Sequence, residues 1–258
     1  MLIVDSHCHL DHFVGTEQED VVARAKAAGV GVMVSIGTRL GEQAATVRAI
    51  ADRYEGVFCT VGVHPQNAGE APVPELGEIL AEADHPRVVG LGESGLDYFY
   101  DKAPRDVQQL GFRRHIAAAR QSGLPLVIHA RDADADIATI LEEEDALGKF
   151  PFLLHCFSSG AELARRAVAL GGYISFSGML TFPKSDAIRA VAAETPADRL
   201  LVETDSPYLA PVPLRGKRCE PAYVVHTAAK LAEVRGLGIA ALAELTTGNF
   251  HRLFNRAR

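Results

Sequence analysis

The architecture of this chain follows from a pattern that first occurs in the stretch LIVDSHCH, residues 2–9. A short apolar run leads directly into polar residues, among them two histidines with one residue between them. Runs of this length and apolar content are typical of strands that are buried on both faces of a sheet. The pattern recurs along the chain and predicts eight strands: Leu2–Ser6, Gly31–Ile36, Val57–Val61, Val88–Gly92, Pro125–His129, Phe152–His155, Gly172–Ser175 and Leu200–Glu203.

Helical patterns separate these strands. The segment Pro104–Gln121 begins with proline, which suits the first turn of a helix, and Pro221–Arg235 stops before Gly236, which suits a helix end. Because strands that alternate with helices pair in parallel through crossovers, eight such units in 258 residues favour an α/β fold, a TIM-like (β/α)8 barrel. We expect residues 1–258 to form a single domain. An open doubly wound sheet is the alternative arrangement of the same elements.

The bulk composition narrows the class of protein. Of the residues, 48% are hydrophobic and 23% are charged, which is enough apolar material for a full-sized core. The formal net charge of −7 argues against a broad basic surface for nucleic acid, although it allows a local positive groove. The cysteines form no CxxC pair, the first residues lack the basic start of a signal peptide, and no apolar stretch approaches the roughly 18 residues of a membrane span. We therefore expect a cytoplasmic protein with no membrane contact and no obligate protein partner.

Residues that can bind metals or move protons stand where the predicted strands end. His7 and His9 point to the same side of an extended segment, because alternate residues of a strand share a face. The other residues of this kind are His64, Glu93, His129, His155 and Asp205. In a parallel barrel the strand ends converge on one rim, where the active sites of barrel enzymes lie. In contrast, His85, His115, His226 and His251 fall before a strand or within helical segments.

Four imidazoles and two carboxylates of this group form a set of candidate metal ligands. The set consists of His7, His9, Glu93, His129, His155 and Asp205. One tetrahedral ion needs fewer ligands, whereas two divalent ions about 3.5–4 Å apart would use all of them, with Glu93 as the bridging carboxylate. Each residue alone has a structural explanation, as a hydrogen-bonded core histidine or a helix cap. Buried together without a cation, these groups would carry a large desolvation cost, which favours the metal site.

At these positions the sequence resembles the TatD family of metal-dependent hydrolases, and the resemblance covers nearly the whole chain. The matching segments are DSHCHLD (5–11), GVHP (62–65), GESGLDY (92–98), PLVIHAR (125–131), HCFS (155–158), ETDSPYL (203–209) and RGKRCEP (215–221). The resemblance implies an amidohydrolase-like TIM barrel with a divalent metal site and, from the better-studied members, deoxyribonuclease activity. It also implies that one metal is bound by His7, His9, Glu93 and Asp205, and the second by Glu93, His129 and His155.

The predicted chemistry is hydrolysis of a phosphodiester bond of DNA by water that Zn²⁺, Mn²⁺ or Mg²⁺ activates. Such a cation lowers the pKa of a bound water from its bulk value towards about 7. Asp205 would act as general base, and His64 would donate to a phosphate or leaving oxygen; equally, His64 could fix the turn at Pro65. The same ligands would serve hydrolysis of a small ester, lactone, amide or phosphoester. A metal-stabilised binding module without catalysis is the further alternative.

Basic and aromatic residues near the same rim are candidates for substrate binding. Arg131 follows a predicted ligand by two residues, and its guanidinium matches the geometry of phosphate. Tyr98, Phe99 and Tyr100 follow Glu93 closely in the chain. Their rings could therefore stack on a base of a substrate bound at this site. An ordinary loop ion pair would also explain the arginine, and packing of the barrel mouth would also explain the aromatic residues.

A compact basic cluster in the last loop adds to these candidates. Arg215, Lys217 and Arg218 stand together in a chain that is otherwise acidic, and we expect them to contact a phosphate backbone rather than only solvent. Cys219, next to them, is one departure from the family pattern, which usually has asparagine at this position. The departure leaves the metal ligands intact, and it bears on the structure of this loop and on the choice of substrate.

Overall fold

Eight parallel strands form one sheet in the computed structural model of this protein, which describes residues 2–257. The order of the strands in the sheet is their order in the chain. They are β1 (Ile3–Cys8), β2 (Val30–Ser35), β3 (Val57–Val61), β4 (Val88–Asp97), β5 (Leu126–Arg131), β6 (Phe152–Leu154), β7 (Tyr173–Phe176) and β8 (Leu200–Val202). This order confirms the predicted barrel and excludes the doubly wound sheet, in which the strand order reverses.

Helices connect the strands, as the alternating pattern predicted. Residues 2–257 contain α1 (Thr16–Ala27), α2 (Glu42–Arg53), α3 (Leu76–Ala83), α4 (Arg105–Ser122), α5 (Asp134–Leu147), α6 (Ala161–Ala169), α7 (Asp186–Glu194), α8 (Val224–Arg235) and α9 (Ile239–Leu253). Short 3-10 turns lie at Leu10–His12, Pro65–Asn67, Gly178–Thr181, Ala197–Arg199 and Pro221–Tyr223. Both predicted helices are confirmed within three residues at either end. Over the described part of the chain, every helix is too short or too polar to traverse a bilayer.

The first and last strands close the barrel through a junction at their carboxyl ends. The backbone N–H of Asp205 donates to His7 O at 2.9 Å, and the N–H of His9 donates to Ser206 O at 2.8 Å. A parallel bridge between Cys8 and Ser206 completes the contact. Closure therefore brings the histidines of β1 directly beside the acidic residue that follows β8.

The interior of the barrel is apolar at one end and polar at the other. Inward side chains such as Val34, Phe58 and Leu201 pack against Phe250 of α9 and against Phe254, which follows this helix directly. The rings of these two phenylalanines stack with their centroids 4.7 Å apart, and both are fully buried. Helix α9 therefore fills the end of the barrel where the strands begin. The polar side chains gather at the opposite end.

Strand β4 continues beyond its predicted end at Gly92 and runs to Asp97. Gly95 allows this, because a Cβ at that position would lie 2.0 Å from the carbonyl oxygen of His129 on β5, closer than any side chain can approach. Gly95 also has a positive φ of 144°, which glycine adopts without strain. The sequence after Gly92 is rich in glycine and polar residues, so it looked like a loop. The extension carries Glu93 and Asp97 on one rigid strand.

Candidate metal centre

All six predicted ligand side chains meet at the carboxyl ends of the strands, around Glu93. One carboxylate oxygen, Oε1, lies 2.7 Å from His155 Nε2 and 2.9 Å from His129 Nδ1. The other oxygen, Oε2, lies 3.4 Å from His7 Nε2. The two oxygens of Glu93 therefore face different imidazoles, as a bridging carboxylate would require.

The second part of the cluster forms around Asp205. Its Oδ1 lies 3.5 Å from Nε2 of His7 and 3.5 Å from Nε2 of His9. Atoms able to ligate one ion lie within 4.8 Å of one another in His7–His9–Asp205, in His7–Glu93–His155 and in His64–Glu93–His129. Residues in or shortly after different strands are thus brought together in three overlapping groups.

Several ring nitrogens in this cluster are buried without a hydrogen-bond partner. They are Nδ1 and Nε2 of His7 and Nδ1 of His9, and both residues are almost completely buried. A buried polar atom without a partner costs about 1–3 kcal/mol. Nitrogen and oxygen donors in this combination suit Zn²⁺ or Mn²⁺, and carboxylates also suit Mg²⁺. The residues present therefore fit a divalent cation.

The buried negative charges of the cluster also favour a bound cation. Burial alone would raise the pKa of Glu93, but the neighbouring His155 and His64 hold it well below its usual range. Burial likewise opposes ionisation of Asp205, yet its contacts with His9 and His7 lower its pKa. Within residues 2–257, neither carboxylate is paired with a lysine or an arginine. Two ionised carboxylates therefore have only imidazoles to balance their charge.

Two carboxylates that the sequence analysis did not select hold the imidazoles in place. Glu203 Oε1 lies 3.2 Å from His155 Nδ1 and accepts the backbone N–H of Cys156 at 2.7 Å. Asp97 Oδ2 lies 3.2 Å from His129 Nε2. Each contact leaves the other ring nitrogen directed at Glu93, and outer carboxylates of this kind orient metal-binding histidines in proteins. A signal did exist for Asp97, because it lies four residues beyond Glu93 on a strand and so shares its face.

A third buried carboxylate fixes the segment that carries Asp205. Asp5 accepts the backbone N–H of Thr204 at 2.8 Å and its hydroxyl at 2.6 Å. Complete burial raises the pKa of Asp5 to about 8. Asp205 itself has a positive φ of 59°, a conformation that aspartate tolerates better than most residues. Asp5 therefore anchors a strained backbone next to the cluster.

His64 faces the cluster as a hydrogen-bond donor. Its Nδ1 accepts the backbone N–H of Gln66 at 3.0 Å, so the proton of the neutral ring sits on Nε2. Burial lowers the pKa of His64, which favours this neutral form. Nε2 lies 3.3 Å from Glu93 Oε1. The geometry gives His64 an N–H directed into the centre, and it also shows the structural role at Pro65 that the sequence allowed.

His115, which the sequence placed in a helix away from the rim, supports the loop of His64 from behind. It lies in α4, its Nε2 accepts the backbone N–H of Val63 at 3.1 Å, and its Nδ1 donates to Gly111 O at 2.7 Å. The ring is completely buried, and burial lowers its pKa to about 4. A neutral histidine is therefore built into the wall behind the site.

Stability should fall on acidification because of His115. The unfolded chain binds the proton of this ring near pH 6.5, but the folded chain binds it only near pH 4. Between these values the unfolded state holds more protons, so we expect a loss of about 3 kcal/mol as the pH decreases through the window. Urea unfolding at several pH values should show a shallower decline for His115→Gln, which starts from a lower stability at neutral pH. Equal declines in the two proteins would contradict this role.

The predicted substrate contacts at the ends of β4 and β5 have different environments. The guanidinium of Arg131 lies over the ring of Phe99 at 4.1 Å. The hydroxyl of Tyr98 donates to Asp136 Oδ2 at 2.7 Å and accepts from Gln109 Nε2 at 2.8 Å. The packing explanation therefore accounts for Tyr98, and its contact with substrate stays a prediction.

Only part of the basic cluster after β8 is available to contact a substrate. Arg218 forms an ion pair with Glu17, donates to His12 O at 2.6 Å and lies over the ring of Phe13. Arg215 lies over the ring of Phe182 at 4.4 Å and is exposed, as is Lys217. Among the described residues neither of these two has a carboxylate partner. Cys219 is buried beneath the loop, and its N–H donates to Pro207 O at 3.0 Å.

His12 and Asp11 extend the cluster at the mouth, and the sequence analysis did not select them. The rings of His9 and His12 stack with their centroids 5.3 Å apart. Asp11 Oδ2 accepts from Gln43 Nε2 at 3.0 Å, and its Oδ1 is buried without a partner. Their position in HCHLDH, directly after the first strand, was the available signal.

Comparisons with known proteins find relatives of this chain in sequence and in fold. The family model described as TatD related DNase matches residues 4–255. The uncharacterized metal-dependent hydrolase YcfH of Escherichia coli (strain K12) is 42% identical over 263 residues, which cover 99% of this chain and 96% of the relative. The 3'-5' ssDNA/RNA exonuclease TatD of Cronobacter sakazakii is 36% identical over 244 residues, which cover 92% of each chain. The crystal structure of YJJV, a TatD homologue from Escherichia coli K12, has a TM-score of 0.88 at 30% identity, and 98% of both chains is covered.

Proposed function

This chain belongs to the TatD family of metal-dependent hydrolases, and on that premise we propose that it is a deoxyribonuclease that hydrolyses phosphodiester bonds. The observation that carries the proposal is the position of Glu93, whose two oxygens face different groups of imidazoles at 2.7–3.4 Å. Two cations bridged by one carboxylate are suited to phosphodiester cleavage, because they can balance charge on the attacked phosphate. The relative from Cronobacter sakazakii, named as an exonuclease on single-stranded DNA and RNA, supports the same substrate class.

We assign the ligands as two sets that share Glu93. His7, His9 and Asp205 complete one set, and His129 and His155 complete the other. When bound, Zn²⁺, Mn²⁺ or Mg²⁺ would supply a lowered pKa for water and would neutralise charge on the phosphoryl oxygens. Glu203 and Asp97 keep the second pair of imidazoles directed at the shared carboxylate.

Asp205 and His64 take the proton-handling roles in this proposal. Asp205 Oδ1 lies at the edge of the cluster with only imidazoles beside it, so this carboxylate can accept a proton from the attacking water. His64 keeps its proton on Nε2, directed into the centre, where it can donate to a phosphate oxygen. The base and the donor therefore approach the reacting phosphate from different strands.

Three cations around the mouth would attract and hold the phosphate backbone. Arg131, Arg215 and Lys217 have no carboxylate partner within residues 2–257, unlike Arg218. In a chain of net charge −7, they form the local positive surface that a polyanionic substrate needs. The exposed charges of Arg215 and Lys217, and the half-buried charge of Arg131, would contribute more to binding than to the chemical step.

Metal analysis followed by a substrate panel tests this function. The purified protein should contain a divalent metal, and the protein reconstituted with Mn²⁺, Zn²⁺ or Mg²⁺ should hydrolyse a single-stranded oligonucleotide. Protein treated with EDTA is the matched blank and should be inactive until metal is returned. Hydrolysis confined to small esters or lactones would overturn the nuclease proposal, and turnover that survives complete chelation would remove the metal from the mechanism.

A further inference from the structure

Two adjacent aromatic side chains are exposed beside the candidate metal centre. Phe99 is 55% exposed and Tyr100 is 51% exposed, and their rings meet edge to face with centroids 5.0 Å apart. The guanidinium of Arg131 lies 4.1 Å from the centroid of the first ring and 4.8 Å from that of the second. These three residues form an aromatic surface that carries one positive charge, which we call the aromatic platform.

The aromatic platform is tied to the metal centre by one carboxylate. Asp97 Oδ1 accepts the backbone N–H of Phe99 at 3.1 Å and that of Tyr100 at 2.9 Å. The other oxygen of the same carboxylate lies 3.2 Å from His129 Nε2. Arg131 is two residues beyond His129 on β5 and pairs in register with Asp97. The platform is therefore held at a fixed position relative to a candidate metal ligand.

Packing against the core does not account for the exposed rings of the platform. Tyr98, the preceding residue, already packs against the core and binds Asp136 through its hydroxyl. Arg131 makes no side-chain hydrogen bond and no ion pair in the described part of the chain, whereas the neighbouring Arg105 is paired with Asp101. A cation that lies on two exposed rings and has no carboxylate partner among the described residues suits a ligand with a flat apolar face and a negative charge.

We propose that Phe99, Tyr100 and Arg131 bind an unpaired nucleotide next to the scissile phosphate, with its base stacked on the rings and its phosphate at the guanidinium. Every base has a face that can stack on an aromatic ring, so this contact is tolerant of sequence. A base within a duplex is already stacked and cannot use the platform. The inference rests on the proposed nuclease function and deepens it, because it names the residues that would hold the unpaired nucleotide beside the metal centre.

The test compares two double variants on two substrates. The variant Phe99→Ala with Tyr100→Ala removes the rings, whereas Phe99→Tyr with Tyr100→Phe keeps two rings at the same positions. For the first variant, we expect KM for a single-stranded oligonucleotide to rise about 10-fold. Bis(p-nitrophenyl) phosphate is too small to reach the platform, so its kcat/KM should change little. The kcat/KM for the oligonucleotide, divided by that for the small substrate, should therefore fall by about the same factor. The second variant should restore the wild-type ratio. Leu147→Ala, an exposed apolar truncation at the far end of α5, is the surface control.

Binding separates failure of the platform from failure of the nuclease proposal. Fluorescence of an oligonucleotide with 2-aminopurine at its unpaired end should be quenched by wild type and less by the alanine variant, whether or not cleavage occurs. Wild-type KM and quenching in the alanine variant would overturn the platform and leave the nuclease intact. A wild-type protein that neither cleaves nor binds the oligonucleotide would overturn both proposals. A change of oligomeric state on gel filtration without a change in KM would make the platform a contact between copies, which also overturns it.

Discussion

The variant Asp205→Asn is expected to hydrolyse DNA about 100- to 10,000-fold more slowly than the wild type. The amide cannot accept the proton of the attacking water, although it keeps the size of the carboxylate. The backbone N–H of Asp205, which closes the barrel by donating to His7 O, is unchanged, so the fold should be retained. Single-turnover hydrolysis of an oligonucleotide by protein with a measured metal content gives the rate of the chemical step.

A matched exchange at a distant carboxylate controls for the loss of one negative charge. Asp198→Asn alters a residue whose side chain is 61% exposed, in the turn that precedes β8 and therefore at the opposite end of the barrel. Its turnover should equal that of the wild type. If Asp205→Asn also turned over at the wild-type rate, Asp205 would have no part in proton transfer.

The variant Glu93→Gln is expected to lose metal as well as activity. The amide carries no charge and offers one oxygen, so it cannot serve both groups of imidazoles. Removing an outer-shell partner of a metal site typically costs about 10–100-fold in affinity, and removing a shared ligand should cost more. Metal content after gel filtration, measured by mass spectrometry of the elements, should fall by at least one ion per chain. Turnover should fall to that of the chelated wild type.

The exchange Glu142→Gln is the control for this experiment. Glu142 lies on the outside of the barrel in an ion pair with Arg166, so its loss should change neither metal content nor turnover. Full metal content in Glu93→Gln would show that the imidazoles and Asp205 suffice to hold the ions. In that case the bridging role would be wrong, even if activity were reduced.

The barrel and the ligand cluster could both be predicted from the sequence because the same pattern, an apolar run that ends in a polar residue, indicates both. Each buried strand is a short apolar run, and the residue that ends it is often a histidine or an acid, as at His129 and His155. Parallel topology then places those ends together. The bounds were least accurate where this signal fails. In β4, glycine and polar residues continue the strand from Gly92 to Asp97, and only the close approach of β5 explains why they do so.

Roles that depend on a partner far away in the chain could not be predicted. Glu203 was visible at the end of β8, but its contact with His155 joins two strands through their side chains. Arg218 belongs to a basic cluster in sequence, yet Glu17 neutralises it from the other end of the chain. His115 looked like an ordinary helical residue, but its ring accepts the backbone N–H of Val63 and so supports the loop that carries His64. Local sequence patterns predict where in the fold a residue lies, whereas the contacts of its side chain depend on tertiary packing.

The closure of the barrel also has a consequence during synthesis. The contact between Asp5 and Thr204 joins residues that are 199 positions apart, and it lies beside His7 and Asp205. A nascent polypeptide that has emerged only through β4 possesses His7 and Glu93, but it does not yet contain the acid that faces them. Because this last member arrives with the final strand, translation must be nearly complete before the chain can assemble its whole set of candidate cation-binding groups.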